Sequence, residues 1–180
     1  MASLRNRMIR AAKLDVSLYE EVEADTGATG QAMLVVVLSS LAAGVGIGSA
    51  GNGGLIVLLT GTIAALLAWY IWAFLTYFIG TRFLPEAETE ADVGQLLRTI
   101  GFASSPGLLR ILGIIPGFTQ IVFLGCAIWM LVAMIIAVRQ ALDYRSTGRA
   151  ILVCGIGWVI QVVILGLVMM WLGNGAEPQP

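Results

Sequence analysis

Residues 54–81 read GLIVLLTGTIAALLAWYIWAFLTYFIGT, an unbroken run without one charged side chain. A helix needs roughly 20 apolar residues to cross a hydrocarbon core of about 30 Å. This stretch is longer than that, so it places the chain in a membrane. Runs of the same kind occupy 32–50, 118–138 and 150–172, and a shorter one occupies 107–117. The sequence therefore predicts an all-α, polytopic membrane helical bundle of about five transmembrane helices. The spans fall at about 32–50, 54–81, 104–116, 118–139 and 150–172, the third short and flanked by proline. Cytoplasmic amphipathic helices accompany them. Residues 1–31 form a cytoplasmic amphipathic segment, 32–172 the transmembrane domain, and 173–180 a short external tail.

Composition agrees. Hydrophobic residues make up 58% of the chain and charged residues 12%, the latter about half the share in a soluble domain. The basic residues are Arg5, Arg7, Arg10, Lys13, Arg82, Arg98, Arg110, Arg139, Arg145 and Arg149, outside or at the edges of the long runs. The connections 51–53 and 115–117 and the tail carry none. Insertion holds positive charge on the cytoplasmic side. The pattern thus predicts an integral membrane protein with a cytoplasmic N-terminus and an external C-terminus.

The residues present exclude several kinds of chemistry. There is no histidine, the commonest metal ligand and general base. The two cysteines, Cys126 and Cys154, are too few for a disulfide framework and read as packing residues. Gly46–Gly51 matches GxGxxG, but it closes a membrane span, and no acid follows between 26 and 85 to hold a ribose. The alternating acids Glu86, Glu88, Glu90 and Asp92 lack the glycine-centred loop of a calcium site. No ionisable side chain is placed deep in a span, where proton transport or intramembrane catalysis would need one. No catalytic, metal or cofactor residue is assigned, no nucleic acid is expected, and the protein reads as not an enzyme.

Small residues point to close helix packing. Ser40, Gly44 and Gly48 lie four apart on the first span, and Thr60, Ala64 and Ala68 do so on the second. Such faces let helix backbones approach closely in lipid, and the short turn 51–53 predicts that these two spans pair. Gln161, in the last span, is read as an interhelical hydrogen-bonding group. Residues 3–23 read as one mixed-charge helix, lying in the interface or docked on the bundle. Residues 92–103 read as an amphipathic helix on the cytoplasmic membrane surface. Pro106 opens the short segment, in which Arg110 snorkels toward the inner interface, and Pro116-Gly117 reverses the chain. Arg139 and Asp143 are spaced for an i, i+4 pair. Arg149 is expected near Asp143, in a cluster that orders the cytoplasmic hairpin.

The run Gly101-Phe102-Ala103-Ser104-Ser105-Pro106, the span containing Trp129, and Ser146-Thr147-Gly148-Arg149-Ala150 resemble the Yip1-domain family of multispanning membrane proteins. The resemblance covers roughly 33–172. It implies five membrane helices and a cytoplasmic N-terminus. It also marks Ser105, Pro106, Pro116, Arg139, Asp143, Gly148 and Arg149 as family-motif or partner-surface residues. Eukaryotic members look like adaptors that bind small GTPases, so a small GTPase is a partner by resemblance alone. This chain lacks their long N-terminal segment and is similar to compact prokaryotic relatives, which implies a bacterial plasma membrane. The expected function is a non-enzymatic membrane adaptor or accessory subunit, assembling with other membrane proteins amid membrane lipids. A small-solute transporter or channel is the alternative.

Overall fold

The computed structural model describes residues 3–48, 54–87 and 89–174. Helices dominate, and the described residues contain no strand. The first surprise is local. In place of one helix over 3–23 there are two, α1 (Leu4–Ala12) and α2 (Val16–Ala24). Leu14 takes a left-handed conformation (φ 60°), which stops a helix. Asp15 then accepts a hydrogen bond from Ser17 N and caps the next one. The two helices fold into a hairpin. Arg10 pairs with Asp15 and Glu21, and Arg7 with Glu21 and Asp25. Ala11, Leu18, Tyr19 and Val22 are fully buried in one cluster with Phe102, Ala133 and Ala137. The hairpin is therefore docked on the bundle.

The remaining helices are α3 (Thr29–Gly46), α4 (Gly54–Arg82), α5 (Val93–Ala103), α6 (Thr119–Ala141) and α7 (Thr147–Asn174). A 3-10 helix, Ser105–Ile114, stands between α5 and α6. By length and composition, four segments suffice to cross a membrane: Thr26–Gly46, Gly54–Arg82, Thr119–Ala141 and Thr147–Ile164. Their outer faces carry large apolar side chains. Leu55, Ile56 and Leu67 on α4, Ile121 and Leu124 on α6, and Trp158 on α7 are all more than half exposed. Only 6% of the apolar window of α4 is buried. In water such a surface would aggregate, whereas in lipid it is the natural boundary.

The segment between α4 and α6 packs differently from the sequence reading, which laid 92–103 on the membrane surface and gave a crossing to 104–116. Here α5 enters the bundle and the 3-10 helix continues it. A capping box between Asp92 and Gln95 starts α5. Leu96, Thr99, Ile100 and Phe102 are buried beyond it. Eleven α-helical residues and ten 3-10 residues rise about 36 Å together, at ~1.5 and ~2.0 Å per residue. The apolar face of α5 meets protein, which periodicity alone could not distinguish from a face meeting lipid.

Two ladders of small residues hold this composite segment beside α3. A methyl group added at Gly101 would stand 2.7 Å from Ala32 Cβ, one at Gly107 2.0 Å from Ser39 Oγ, and one at Gly113 2.9 Å from the Gly46 carbonyl. Steps of seven along α3 thus match steps of six along the partner, and the two run in the same direction. 3-10 runs beyond three or four residues are uncommon. This one is clamped between α3 and α6, and Thr119 Oγ1 donates to the Gly113 carbonyl at 2.6 Å.

Candidate functional site

Two regions concentrate polar chemistry. One is the charged end where the hairpin, α5 and the α4–α5 and α6–α7 connections meet. The other is a partly open cavity between the helices.

At the charged end, Arg98 is 5% exposed. Its guanidinium donates to the carbonyls of Val22 and Glu23, with Nε 2.9 and 3.1 Å from them and Nη2 also on Glu23. These carbonyls belong to the last turn of α2, where no intrahelical donor remains. Glu23 is half-buried there. Desolvation, reinforced by Asp143 and opposed by Arg98, raises its carboxyl from the usual 4.5 to about 7. The Arg10 hydrogen bond lowers Asp15 and Glu21, and the Arg7 hydrogen bond lowers Asp25.

The sign follows from linkage. Glu23 binds its proton more tightly when folded, so its contribution is full below about 4.5 and fades as pH rises through about 7. Asp15, Glu21 and Asp25 contribute at higher pH and lose their effect only in more acidic solution. Hydrogen exchange of α2 amides should therefore slow as pH falls from 8 to 5, after correction for intrinsic rates. Glu23→Gln should remove that dependence; an unchanged slope would show that another group causes it.

Across the same end, Arg149 pairs with Glu86 (Nε to Oε1, 3.2 Å) and donates to the Pro85 carbonyl at 2.8 Å. Its partner in the α4–α5 connection is thus an acid that sequence spacing could not nominate. Tyr144 is buried, and its hydroxyl lies 3.0 Å from the Gly80 carbonyl and 2.8 Å from that of Leu84, closing the end of α4. Burial pushes that phenol up to about 12, so it stays a donor. The α6 helix stops at Ala141, and Asp143 has φ 51°, so Arg139 and Asp143 do not share a continuous helix. Arg139 turns to the carbonyls of Tyr144 and Arg145.

The other singled-out residues are dispersed. Ser105 and Pro106 are buried, and the Ser105 hydroxyl donates to the Phe102 carbonyl at 2.7 Å. Pro116 and Gly148 are exposed. Ser40 and Gly44 do face α4: Ser40 Oγ lies 3.1 Å from Thr62 Oγ1, and Gly44 lies against Leu58. The α4 face that meets them is Leu58 and Thr62. Thr60, Ala64 and Ala68 are exposed, because two residues along a helix turn the face by roughly 200°. Gly48 ends the first span region with φ 74° and nothing near it.

The cavity lies between α3, α4, the 3-10 helix, α6 and α7, and Ile100 and Ser104 also line it. Its volume is ≈ 740 Å³. Trp69, Trp72, Trp158, Met130 and Met134 supply much of the wall. Two indoles are already engaged: Trp69 Nε1 donates to the Leu97 carbonyl and Trp72 Nε1 to Met134 sulfur, each at 3.0 Å. Gln161 is exposed and lines the cavity.

Arg110 lines it too, and this overturns the expected snorkelling and the placement of every basic residue at one end. At three residues per turn, Gly107, Arg110 and Gly113 stack on one face of the 3-10 helix. The two glycines press against α3 and α6, so Arg110 between them points inward. Its guanidinium carbon stands 5.6 Å from the centre of the Phe123 ring. Phe123 is four residues after the start of α6 and eighteen before its end, about 6 and 27 Å at ~1.5 Å per residue. Arg110 therefore lies far from Arg139 at the other end of α6. Its buried Nε has no hydrogen-bond partner. No Asp or Glu occurs in 26–85, 93–142 or 144–176. The cation–π contact is worth about 2 kcal/mol at best, against a cost of several kcal/mol for desolvating an ion. The spacing of three was visible in the sequence. What hid it was the assumption of an α-helix, in which residues 107, 110 and 113 drift apart.

Long apolar helices with outward-facing hydrophobic side chains define a polytopic α-helical membrane protein. Residues 18–170 match the Yip1 domain, and the chain belongs to that family. No curated protein and no solved structure matches it.

Proposed function

We propose that the protein is a non-enzymatic membrane adaptor or accessory subunit whose charged end faces the cytoplasm and binds another protein. The observation that carries this reading is the fixed N-terminal hairpin. Arg7 and Arg98, 3% and 5% exposed, tie it to itself and to the bundle. Arg5, Lys13 and Glu20 remain exposed upon it. Charges held on a rigid frame present a defined electrostatic pattern, which favours partner choice and encounter rate. The nine basic residues other than Arg110 lie on the hairpin or near that end, in keeping with a cytoplasmic orientation. The partner is a membrane or cytoplasmic protein; a small GTPase follows from family kinship alone.

Purification through a C-terminal tag in mild detergent tests the reading. A stoichiometric partner should accompany the natural chain and be lost from Arg5→Glu/Lys13→Glu at unchanged thermal stability. Retention of that partner by the variant, or none at all with the natural chain, refutes it. The cavity favours a second reading, passage of a small or apolar solute. Solute-dependent thermal stabilisation without a stoichiometric protein partner would support that one.

A further inference from the structure

We propose that the cavity is a binding site for an anionic amphiphile, a single acyl chain bearing a phosphate or carboxylate head, with Arg110 as the headgroup's counter-ion. The cavity volume, ≈ 740 Å³, falls within the roughly 300–1,000 Å³ of small-molecule sites. Its wall has two chemical characters. Indoles and thioethers from Trp72, Trp158, Met130 and Met134 make an apolar chamber. The polar groups available toward a ligand include Arg110, with its unpartnered Nε, and Gln161, whose side chain no described residue bonds.

Charge balance selects the occupant. The membrane-spanning residues contain no carboxylate, so the chain itself cannot neutralise Arg110. A guanidinium presents a planar fork of donors that matches carboxylate and phosphate oxygens. A neutral solute would leave the charge uncompensated. A small hydrated anion would leave the apolar chamber wet. A ligand with one anionic end and one apolar end satisfies both halves of the wall. Arg110 lies near the start of α6, whereas Trp72 and Ile100 lie toward the opposite end of the cavity. The head therefore sits at the Arg110 level and the chain points toward α5.

The test compares lysophosphatidic acid, lysophosphatidylcholine with the same chain, and inorganic phosphate, each added to the purified full chain in a non-ionic detergent. Thermal shift and native mass spectrometry read the result. Lysophosphatidic acid should bind saturably at one per chain and raise the melting temperature by several degrees; myristate should do so more weakly. Lysophosphatidylcholine should bind at least tenfold more weakly and phosphate alone not measurably. Arg110→Gln should lose at least tenfold in affinity for lysophosphatidic acid, and Arg110→Lys should recover part of it. Gly155→Leu, which adds bulk to the cavity wall where a Cβ meets nothing, should weaken both lysolipids. Equal binding of the two lysolipids to the natural chain overturns the proposal without recourse to any variant. Phosphate binding as tight as that of lysophosphatidic acid overturns it as well, by showing a plain anion site. Undiminished lysophosphatidic acid binding by a folded Arg110→Gln would do the same.

Discussion

Alanine in place of Gly46 should lower the stability of the bundle by about 3 kcal/mol, the upper part of the range for overpacking. A methyl group there would lie 1.9 Å from the Arg110 carbonyl oxygen and 2.9 Å from its carbon. Those are backbone atoms on a helix clamped from two sides, so neither partner can rotate away. Intrinsic propensity runs the other way, since alanine is favoured over glycine in a helix by about 1 kcal/mol; any loss must come from the clash. Gly44→Ala separates the two effects. Its methyl would lie 2.4 Å from Leu58 Cδ2, the end of a flexible side chain, and the cost should be clearly smaller. Gly61→Ala, with nothing within 4 Å, should be neutral or slightly stabilising. Thermal unfolding in detergent ranks the three. A Gly46→Ala protein as stable as Gly61→Ala would mean that the composite segment does not touch α3 so closely.

Gly46 also shows where sequence reading reached its limit. Helix class and membrane residence followed from the apolar runs, because length and hydropathy decide them one segment at a time. The contact of Ser40 and Gly44 with α4 was legible from their spacing and the short turn. The α4 partners were not, because small-residue spacing does not say which face turns toward the neighbour, and Thr60 sits about 200° from Thr62. The second small-residue ladder, Ala32, Ser39 and Gly46, was hidden because its partner steps by six, two turns of a 3-10 helix, where an α-helix was assumed. It arises only when an α-helix hands over to a 3-10 helix at Ser104–Ser105. The same handover turned Arg110 inward. At the charged end, Arg149 pairs with Glu86, since long side chains pair across connections that only the fold brings together.

Arg98 holds the end of the N-terminal hairpin against α5. A surface arginine on an amphipathic helix would be worth little, but this one is buried and holds the end of α2. Replacing it with methionine keeps much of the apolar stem and removes every donor. The Val22 and Glu23 carbonyls then lose the guanidinium that meets them at 2.9 and 3.1 Å. Hydrogen bonds from a charged donor contribute roughly 1.5–3 kcal/mol, and a cation beside a helix C-terminus adds to this through the dipole. Docking of the hairpin should weaken by about 3 kcal/mol. The α6–α7 contacts should be untouched, because Val138, Ala141, Ala150 and Val153 pack in a separate cluster. Hydrogen exchange can read the two regions apart. Amides of α1 and α2 should exchange roughly a hundredfold faster, the kinetic equivalent of about 2.7 kcal/mol, while those of α6 and α7 should stay as they were. Arg98→Lys should fall between, since an ammonium keeps the charge but not the fork. Equal exchange in all three proteins would mean that the apolar cluster around Tyr19 and Phe102 suffices to hold the hairpin. Loss of protection throughout would mean that the hairpin and the spans unfold as one unit. Only the selective outcome makes Arg98 the group that fixes the hairpin to the bundle and so holds its charges in one arrangement.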